Sequence, residues 1–243
     1  MTGKTTKHRL HEAMDRKNEL DAGVTTRRTA GKRARSPEEK AAVRQALIEA
    51  GRRAFATQDY AKVSLRGIAA EAGYTPALIY HYFADRQALF VAVRETDLAD
   101  AIGEIASVTQ REGDPAARLR KLLSAMLKHW RSHFDQYEIL FSGSRRQGEQ
   151  TRLVDGTPFG RSEVAVRAYQ QYQTAVRDFF DTLPRYPIPL KLATDSVVVA
   201  IHGAVAVPMH LETMKWSAGE KLAATLADTF IAAWTAAAHQ PSE

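Results

Sequence analysis

A chain of 243 residues, 44% of them hydrophobic, can bury one large core or two modest ones. It contains no cysteine, which excludes a disulfide framework and thiolate metal sites and points to a reducing compartment. The formal net charge is +6, and the whole excess sits in residues 1–36, which hold 10 Lys/Arg against 4 Asp/Glu, while the rest of the chain holds 24 of each.

Residues 1–36 are rich in Lys, Arg and Thr, with Leu10, Met14, Leu20 and Val24 as their only large apolar residues after Met1. Such a segment cannot repay its own ordering entropy, and it has no apolar h-region of a signal peptide. It reads either as a disordered basic arm for a polyanion or as a solubilising tail. In the first case Arg27, Arg28, Lys32, Arg33 and Arg35 are placed to follow a DNA backbone or enter a minor groove. Ser36-Pro37-Glu38-Glu39 is a helix start with cap, first-turn proline and acidic third position. Val43, Leu47, Ala50, Ala54 and Phe55 follow at helical spacing as far as about Thr57. Gly51 on that helix costs about 1 kcal/mol relative to Ala, which suggests a close helix crossing.

The stretch from Val63 to Leu89 carries three helix signals with almost no spacer. Ser64 can cap a helix that buries Ile68, Ala69 and Ala72 and stops at Gly73. Thr75 can cap a second helix, with Pro76 in its first turn, bearing Leu78, Ile79, Tyr80, Tyr82 and Phe83. Asp85 can cap a third. Two short helices across a turn that contains Gly make the helix-turn-helix pattern, whose second helix can lie in a DNA major groove. One helix face cannot bury Ile79, Tyr80, Tyr82 and Phe83 together, so at least one tyrosine is expected on the surface.

Beyond it, Asp85 to about Val108 reads as a long helix, and Asp114-Pro115 restarts one through Leu119, Leu122, Leu123, Met126, Leu127, Trp130 and Phe134. A short helical piece covers Asp135 to Phe141. Residues 142–160 read as a surface loop with four Gly, one Pro and the pair Arg145 and Arg146. Residues 161–183 form another helix, ended by Pro184, Pro187 and Pro189. Leu190 to Thr213 is helical and apolar on nearly every side between Val197 and Met209, so it belongs in a core or at a subunit interface. That run of 13 residues, broken by His202, is short of a membrane span, and a soluble cytoplasmic protein is expected. Ser217-Ala218-Gly219-Glu220 opens the last helix, with Leu222, Leu226, Phe230, Ala233 and Trp234 on one face. The expected class is all-α, in three parts: a disordered arm over 1–36, a helix-turn-helix DNA-binding domain over 37–84, and a six-helix body over 85–240.

His129 and His133, four apart, share a helical face, but Trp130 occupies the place of the glutamate in the catalytic HExxH form. With no third ligand evident, no metal is expected and surface histidines are the better reading. No phosphate loop, serine elbow or dinucleotide fingerprint appears, and neither an enzyme activity nor a cofactor is expected.

The stretch IAAEAGYTPALIYHYFADRQAL resembles the TetR family of bacterial transcriptional regulators. The resemblance covers about 50 residues from Glu39 to Leu89; the body matches only in helix count, order and length. It rests on Ile68-Ala69, Ala72-Gly73-Tyr74-Thr75, Leu78-Ile79-Tyr80, Phe83 and Arg86. The resemblance implies DNA-binding roles for Ser64, Arg66, Thr75, Pro76, Ala77, Leu78, Tyr80, His81 and Tyr82, with Arg86 in place of a phosphate-binding Lys. Leu78 departs from a usual small hydroxyl residue and offers a thymine methyl an apolar contact, while Ala77 replaces a common Gly. The recognition helix bears no Lys or Arg, so Tyr80, Tyr82 and Arg86 are expected to position phosphates while shape carries much of the readout.

The resemblance further implies a homodimer formed through the last two long helices, for which Val197, Ile201, Ala204, Val205, Leu222, Leu226, Phe230 and Trp234 are the candidate contacts. It implies a near-palindromic operator on double-stranded DNA, and a small, partly apolar effector inside the body that releases that DNA. Trp130, Phe134, Tyr137, Tyr169, Tyr172, Gln173, Val176, Phe180 and His202 are candidate effector contacts. An activator or a ligand-independent DNA-binding protein of the same fold is the second reading, and a helical enzyme or adaptor the third.

Overall fold

The computed structural model describes residues 36–141 and 152–240; the basic arm with Arg33 and Arg35, and most of the loop expected over 142–160, lie outside them. The described residues form nine α-helices and no strand, an all-α fold: α1 (Pro37–Thr57), α2 (Leu65–Glu71), α3 (Pro76–Ile79), α4 (Arg86–Thr109), α5 (Pro115–Ser132), α6 (Phe134–Phe141), α7 (Glu163–Phe180), α8 (Leu190–His210) and α9 (Gly219–His239).

Local chemistry sets most helix starts. Ser36 and Glu39 close a reciprocal capping box, the Glu39 amide donating to Ser36 Oγ at 3.1 Å. Ser64 accepts from the Gly67 amide, Asp85 from Ala88, Asp114 from Ala117 and Ser162 from Ala165, each satisfying an amide that the helix leaves orphaned. Thr75 precedes α3 in extended conformation but makes no side-chain cap bond, so Pro76 alone sets that start. Gly73 turns the chain between α2 and α3 at φ +78, a region that L side chains rarely adopt.

Two cores result. The head core gathers Leu47 and Ile48 of α1, Ile68 of α2, Ile79 of α3, Phe83, and Leu89 and Val93 of α4. The body core gathers Leu119, Leu123 and Trp130 of α5, Phe180 of α7, Val197 and Ile201 of α8, and Trp234 of α9. Two helices serve both. The first turns of α4 lie in the head core while Leu98, Ala101 and Ile105 lie in the body core, and on α6 the neighbours Ile139 and Leu140 divide between them. Gly51 lets α1 approach α4 closely, because a Cβ there would stand 3.1 Å from Leu89 Cδ2.

An ion pair ties the same crossing. Arg52 Nε of α1 donates to Asp97 Oδ1 of α4 at 2.6 Å, and the Asp97 side chain is fully buried. Burial pushes the Asp97 carboxyl above its ordinary value, and the hydrogen bond and charge of Arg52 pull it back. Elsewhere Arg118 at the start of α5 reaches Asp178 of α7 at 2.6 Å, and Arg185 in the proline connector donates to the carbonyls of Ala237, Ala238 and Gln240 at the end of α9.

Helix α8 is long and apolar enough, by length and composition alone, to cross a membrane; in this fold it packs against α5, α7 and α9. Its buried side corrects part of the expected dimer set. Val197, Ile201 and Val205 have no exposed surface within a single protomer, and Trp234 is buried against Phe179, Phe180 and Phe230, so these four belong to the protomer's own core. Ala204, Leu222, Leu226 and Phe230 are half-buried. The outward side of α8 instead carries Leu192, Val199 and Val207, with Val199 71% exposed.

Removing one member of a buried ion pair strands the other, at a cost of about 3 kcal/mol. Asp97→Ala is therefore expected to lower thermal stability by that order in a melting experiment, whereas Lys191→Ala, which breaks the exposed Lys191–Asp195 pair, is expected to change it little.

Candidate DNA-binding face and body cavity

Several of the head's candidate DNA-contacting residues are exposed. Ser64 and Arg66 stand exposed at the start of α2, and Thr75, Pro76, Ala77, Tyr80 and His81 are exposed along and just beyond α3. Helix α3 is a single turn, prolonged by the bonds from His81 N to Leu78 O and from Tyr82 N to Ile79 O, both 3.0 Å. Ile79 and Phe83 pin its inner side, and Tyr80 stands 52% exposed on the outer one, the surface tyrosine that helical spacing required. Leu78 and Tyr82 are half-buried and pack on the head core, which turns part of each away from any groove.

Arg86 departs from its expected role. Its Nη1 donates to the carbonyls of Ala61 and Val63 at 2.8 and 3.1 Å, and its guanidinium lies 4.4 Å above the Tyr60 ring. These contacts clamp the turn before α2, so Arg86 positions the head rather than reaching outward to a phosphate. A lysine has no planar fork for two carbonyls and a ring, which is why Arg and Lys are not interchangeable here.

In the body, α4–α8 and the short helical turn Phe159–Arg161 enclose a cavity of about 320 Å³. Trp130, Tyr169, Tyr172 and His202 line it. Phe134, Tyr137, Gln173, Val176 and Phe180 do not. Phe134 stacks on Tyr137 at 5.6 Å; Tyr137 stands behind His202; Val176 and Phe180 fill the body core; Gln173 accepts from Arg177 on the outer side of α7. Arg94, Leu98, Met126, Leu140, Phe141 and Phe159 join the wall instead. Arg94 was legible in principle: it falls four residues after Phe90 and four before Leu98, a cation within an apolar stripe.

The polar groups of this chamber have unusual surroundings. Arg94 is 4% exposed, donates from Nη2 to Leu140 O at 2.7 Å and lies 3.7 Å above the Phe159 ring. Burial lowers its pKa only to about 10, which leaves it charged at neutral pH. Burial holds His202 down at about 4, so its imidazole is neutral, with Nδ1 3.3 Å from the Tyr137 hydroxyl. Desolvation pushes the Tyr137 phenol up to about 12 and drives the fully enclosed Tyr172 phenol upward as well. The Tyr172 hydroxyl is buried with no hydrogen-bond partner. Tyr169 donates to Asp195 at 2.8 Å.

His129, expected on the surface, is 5% exposed; its ring stacks on His133 at 4.5 Å, and its Nδ1 lies 2.8 Å from Glu104 Oε2. Spacing alone could not distinguish the two, because the carboxylate partner comes from a different helix, α4. No group of three or more His, Cys, Asp or Glu able to hold a metal occurs among the described residues.

Comparison with known proteins fits this geometry. Residues 47–93 match the family described as bacterial regulatory proteins, tetR family. Over that stretch the chain is similar to the TetR family. The chain is 33% identical over 78 residues to the HTH-type transcriptional repressor Rv1474c of Mycobacterium tuberculosis; the match takes in 32% of this chain and 40% of that one, so the chain spans less than half the length of this curated relative. Likeness of fold to solved structures extends through the body. A TetR family transcription regulator from Marinobacter aquaeolei superposes with a TM-score of 0.62 at 19% identity, covering 80% of this chain and 98% of that one. The fatty acid degradation regulator FadR from Bacillus halodurans superposes with a TM-score of 0.63 at 14% identity, covering 81% and 96%.

The neutral His202 gives the body an acid limb. Its folded pKa is depressed to about 4 from 6.5, so the stabilisation of the neutral form is complete above pH 6.5 and is lost as pH falls toward 4. His129 shifts in the same direction, chiefly by desolvation. Thermal melts from about pH 7 down to about pH 5 should therefore fall less steeply for His202→Asn than for the parent, without becoming flat. Equal slopes would remove His202 as a source of the acid sensitivity.

Proposed function

We propose that the protein is a dimeric DNA-binding repressor of transcription, acting on cytoplasmic DNA and released from a near-palindromic operator by a small molecule that enters the body cavity. The observation that carries this reading is the exposed row Arg66, Thr75, Pro76, Ala77, Tyr80 and His81 on a rigid three-helix head. Arg66 offers the one guanidinium on that row, for a phosphate or a guanine edge; Tyr80 offers a hydroxyl to a phosphate; Pro76 and Ala77 allow close apolar approach to the groove floor. The repressor direction takes its support from the name of the Mycobacterium relative, which matches 32% of this chain. Arg33 and Arg35 would add salt-dependent affinity from the arm.

Dimer formation is supported by the outward stripe of α8. Leu192, Ser196, Val199, Gly203 and Val207 recur at helical spacing, and a large exposed apolar side chain such as Val199 in mid-helix needs a cover. Pairing this stripe with its own copy satisfies that need and sets two recognition helices at a fixed separation. In this reading the head (37–84) reads DNA, the body (85–240) dimerises and senses, and α4 transmits. Arg94 of α4 lines the cavity, and Asp97, one turn further on, holds Arg52 of the head. An occupant that moves Arg94 would move the head's own anchor, a population shift between two head spacings.

Footprinting on the DNA upstream of the protein's own reading frame should reveal a protected near-palindrome. Tyr80→Ala is expected to weaken that protection about tenfold, the scale of one lost phosphate contact. Arg66→Ala is expected to weaken it and, if the contact is to phosphate, to reduce the salt slope by about one. Unchanged affinity for both variants would sink the assignment of this face. Val199→Glu should turn a dimer into a monomer in analytical ultracentrifugation, and a parent protein that already sediments as a monomer would end the dimer reading.

A further inference from the structure

Seven Lys and Arg residues lie between positions 37 and 89, and most of them are already paired. Arg52 holds Asp97, Arg53 holds Glu71 at 2.7 Å, Lys62 holds Asp59 at 3.0 Å, and Arg86 holds the carbonyls of Ala61 and Val63. Arg66 stands in the exposed row of the head. Lys40 and Arg44 remain, one turn apart on α1, both exposed and with no side-chain hydrogen bond or ion pair to a described residue. Arg44 differs from Lys40 in having a seat: its guanidinium carbon lies 5.4 Å from the centroid of the Phe83 ring. Phe83 is buried and closes the recognition segment, two residues after the exposed His81. An exposed guanidinium resting on that ring therefore stands beside the far end of the recognition helix, away from Thr75 and Pro76. Contact with a ring face leaves its five N–H donors without an oxygen to bond, and it narrows the positions that a long side chain samples.

We propose that Arg44 is a phosphate contact of the head, taking the DNA backbone where it passes the end of the recognition segment, the role that position had suggested for Arg86. The inference rests on the reading of the head as DNA-binding and adds to it a contact from α1. A major groove is about 12 Å wide and is walled by two phosphate strands, so a helix lying in it needs cations at both of its margins. Arg66, at the start of α2, supplies one guanidinium. Arg86 is turned inward onto two carbonyls and the Tyr60 ring, and Arg44 is the unpaired cation seated against Phe83. Its seat is the ring of a core residue, behind the row that enters the groove, which sets the guanidinium at the level of the backbone rather than of the base edges. Such a contact fixes the orientation of the head and carries no sequence information. Arginine suits the position because one planar group can lie against a ring and still donate to a phosphate.

The test uses the full chain and reads duplex binding by fluorescence anisotropy over a salt series, on a duplex from the DNA upstream of its own reading frame and on a shuffled duplex of the same composition. Arg44→Gln and Arg44→Met remove the charge, and Met keeps an apolar stem over the ring. Arg44→Lys keeps the charge and loses the fork. Arg53→Gln is the control, an exposed arginine of the same helix already paired with Glu71. Both neutral Arg44 variants should weaken binding to the two duplexes by the same factor, about three- to tenfold at low salt, and lower the slope of log affinity against log salt by about one. Arg44→Lys should keep the parental slope and recover part of the affinity, since a point charge still serves a phosphate. Arg53→Gln should keep the parental slope, and thermal melts should show every variant folded. A parental slope in folded Arg44→Met, a loss confined to the upstream duplex, or an equal change of slope in Arg53→Gln would each overturn the inference. Loss of binding in Tyr80→Ala with parental binding in both neutral Arg44 variants refutes this contact and leaves the DNA-binding reading standing. A parent chain with no salt-dependent affinity for either duplex removes that reading and this contact together.

Discussion

A carboxylate with no exposed surface sits where the head meets the body. Asp97 can hold its charge there only because Arg52 reaches across from α1 and Gly51, one residue earlier, lets the two helices come close enough. The contact therefore depends on one residue without a side chain and two with opposite charges. Everything in the head hangs from it. Helix α1 buries Leu47 and Ile48 against α2 and α4, α2 and α3 share Ile68 and Ile79, and the groove-facing row follows from how those apolar groups are seated. The same helix α4 continues into the second core, so neither core can rearrange without the other registering it.

Helix α6 is the second coupling element and works differently. Ile139 points into one core and Leu140 into the other, and the Leu140 carbonyl accepts from Arg94. A charged side chain buried beside apolar groups is tolerated where partners that include the Phe159 ring face and the Leu140 carbonyl take the place of water. The His202 imidazole solves the opposite problem by giving up its charge. Among the described residues that line it, the chamber thus sets a guanidinium that keeps its charge beside an imidazole that gives its charge up.

The sequence carried the head almost completely. Ser36, Ser64, Asp85, Asp114 and Ser162 cap as their residue types and positions demand, because a cap depends on three or four neighbouring residues and little else. Exposure of Tyr80 followed from helical geometry alone. What escaped was whatever depends on a partner distant in the chain. Arg86 finds carbonyls 23 and 25 residues away, His129 finds Glu104, and Arg94 finds Leu140 O, none of which periodicity can reveal. The cavity was half legible for the same reason. Trp130, Tyr169, Tyr172 and His202 line it, but the similarly spaced Val176 and Phe180 are ordinary core, since helical spacing gives the face and not what stands opposite it. On α8 the alternation was read as one broad apolar surface, whereas the fold splits it into an inner row of Val197, Ile201 and Val205 and an outer row through Val199.

Arg185 has a consequence for how the last two helices behave as a body. From the proline connector before α8 it grips the final carbonyls of α9, more than fifty residues later, while the 211–218 turn joins the two helices at their other end. The result is a ring closed by hydrogen bonds in a chain that has no cysteine with which to close it covalently. A hairpin fastened at both ends resists sliding of one helix along the other, because any slip breaks the clasp or strains the turn. Helices α8 and α9 are therefore held in register as a plate, and motion that reaches them has to tilt the plate as a whole.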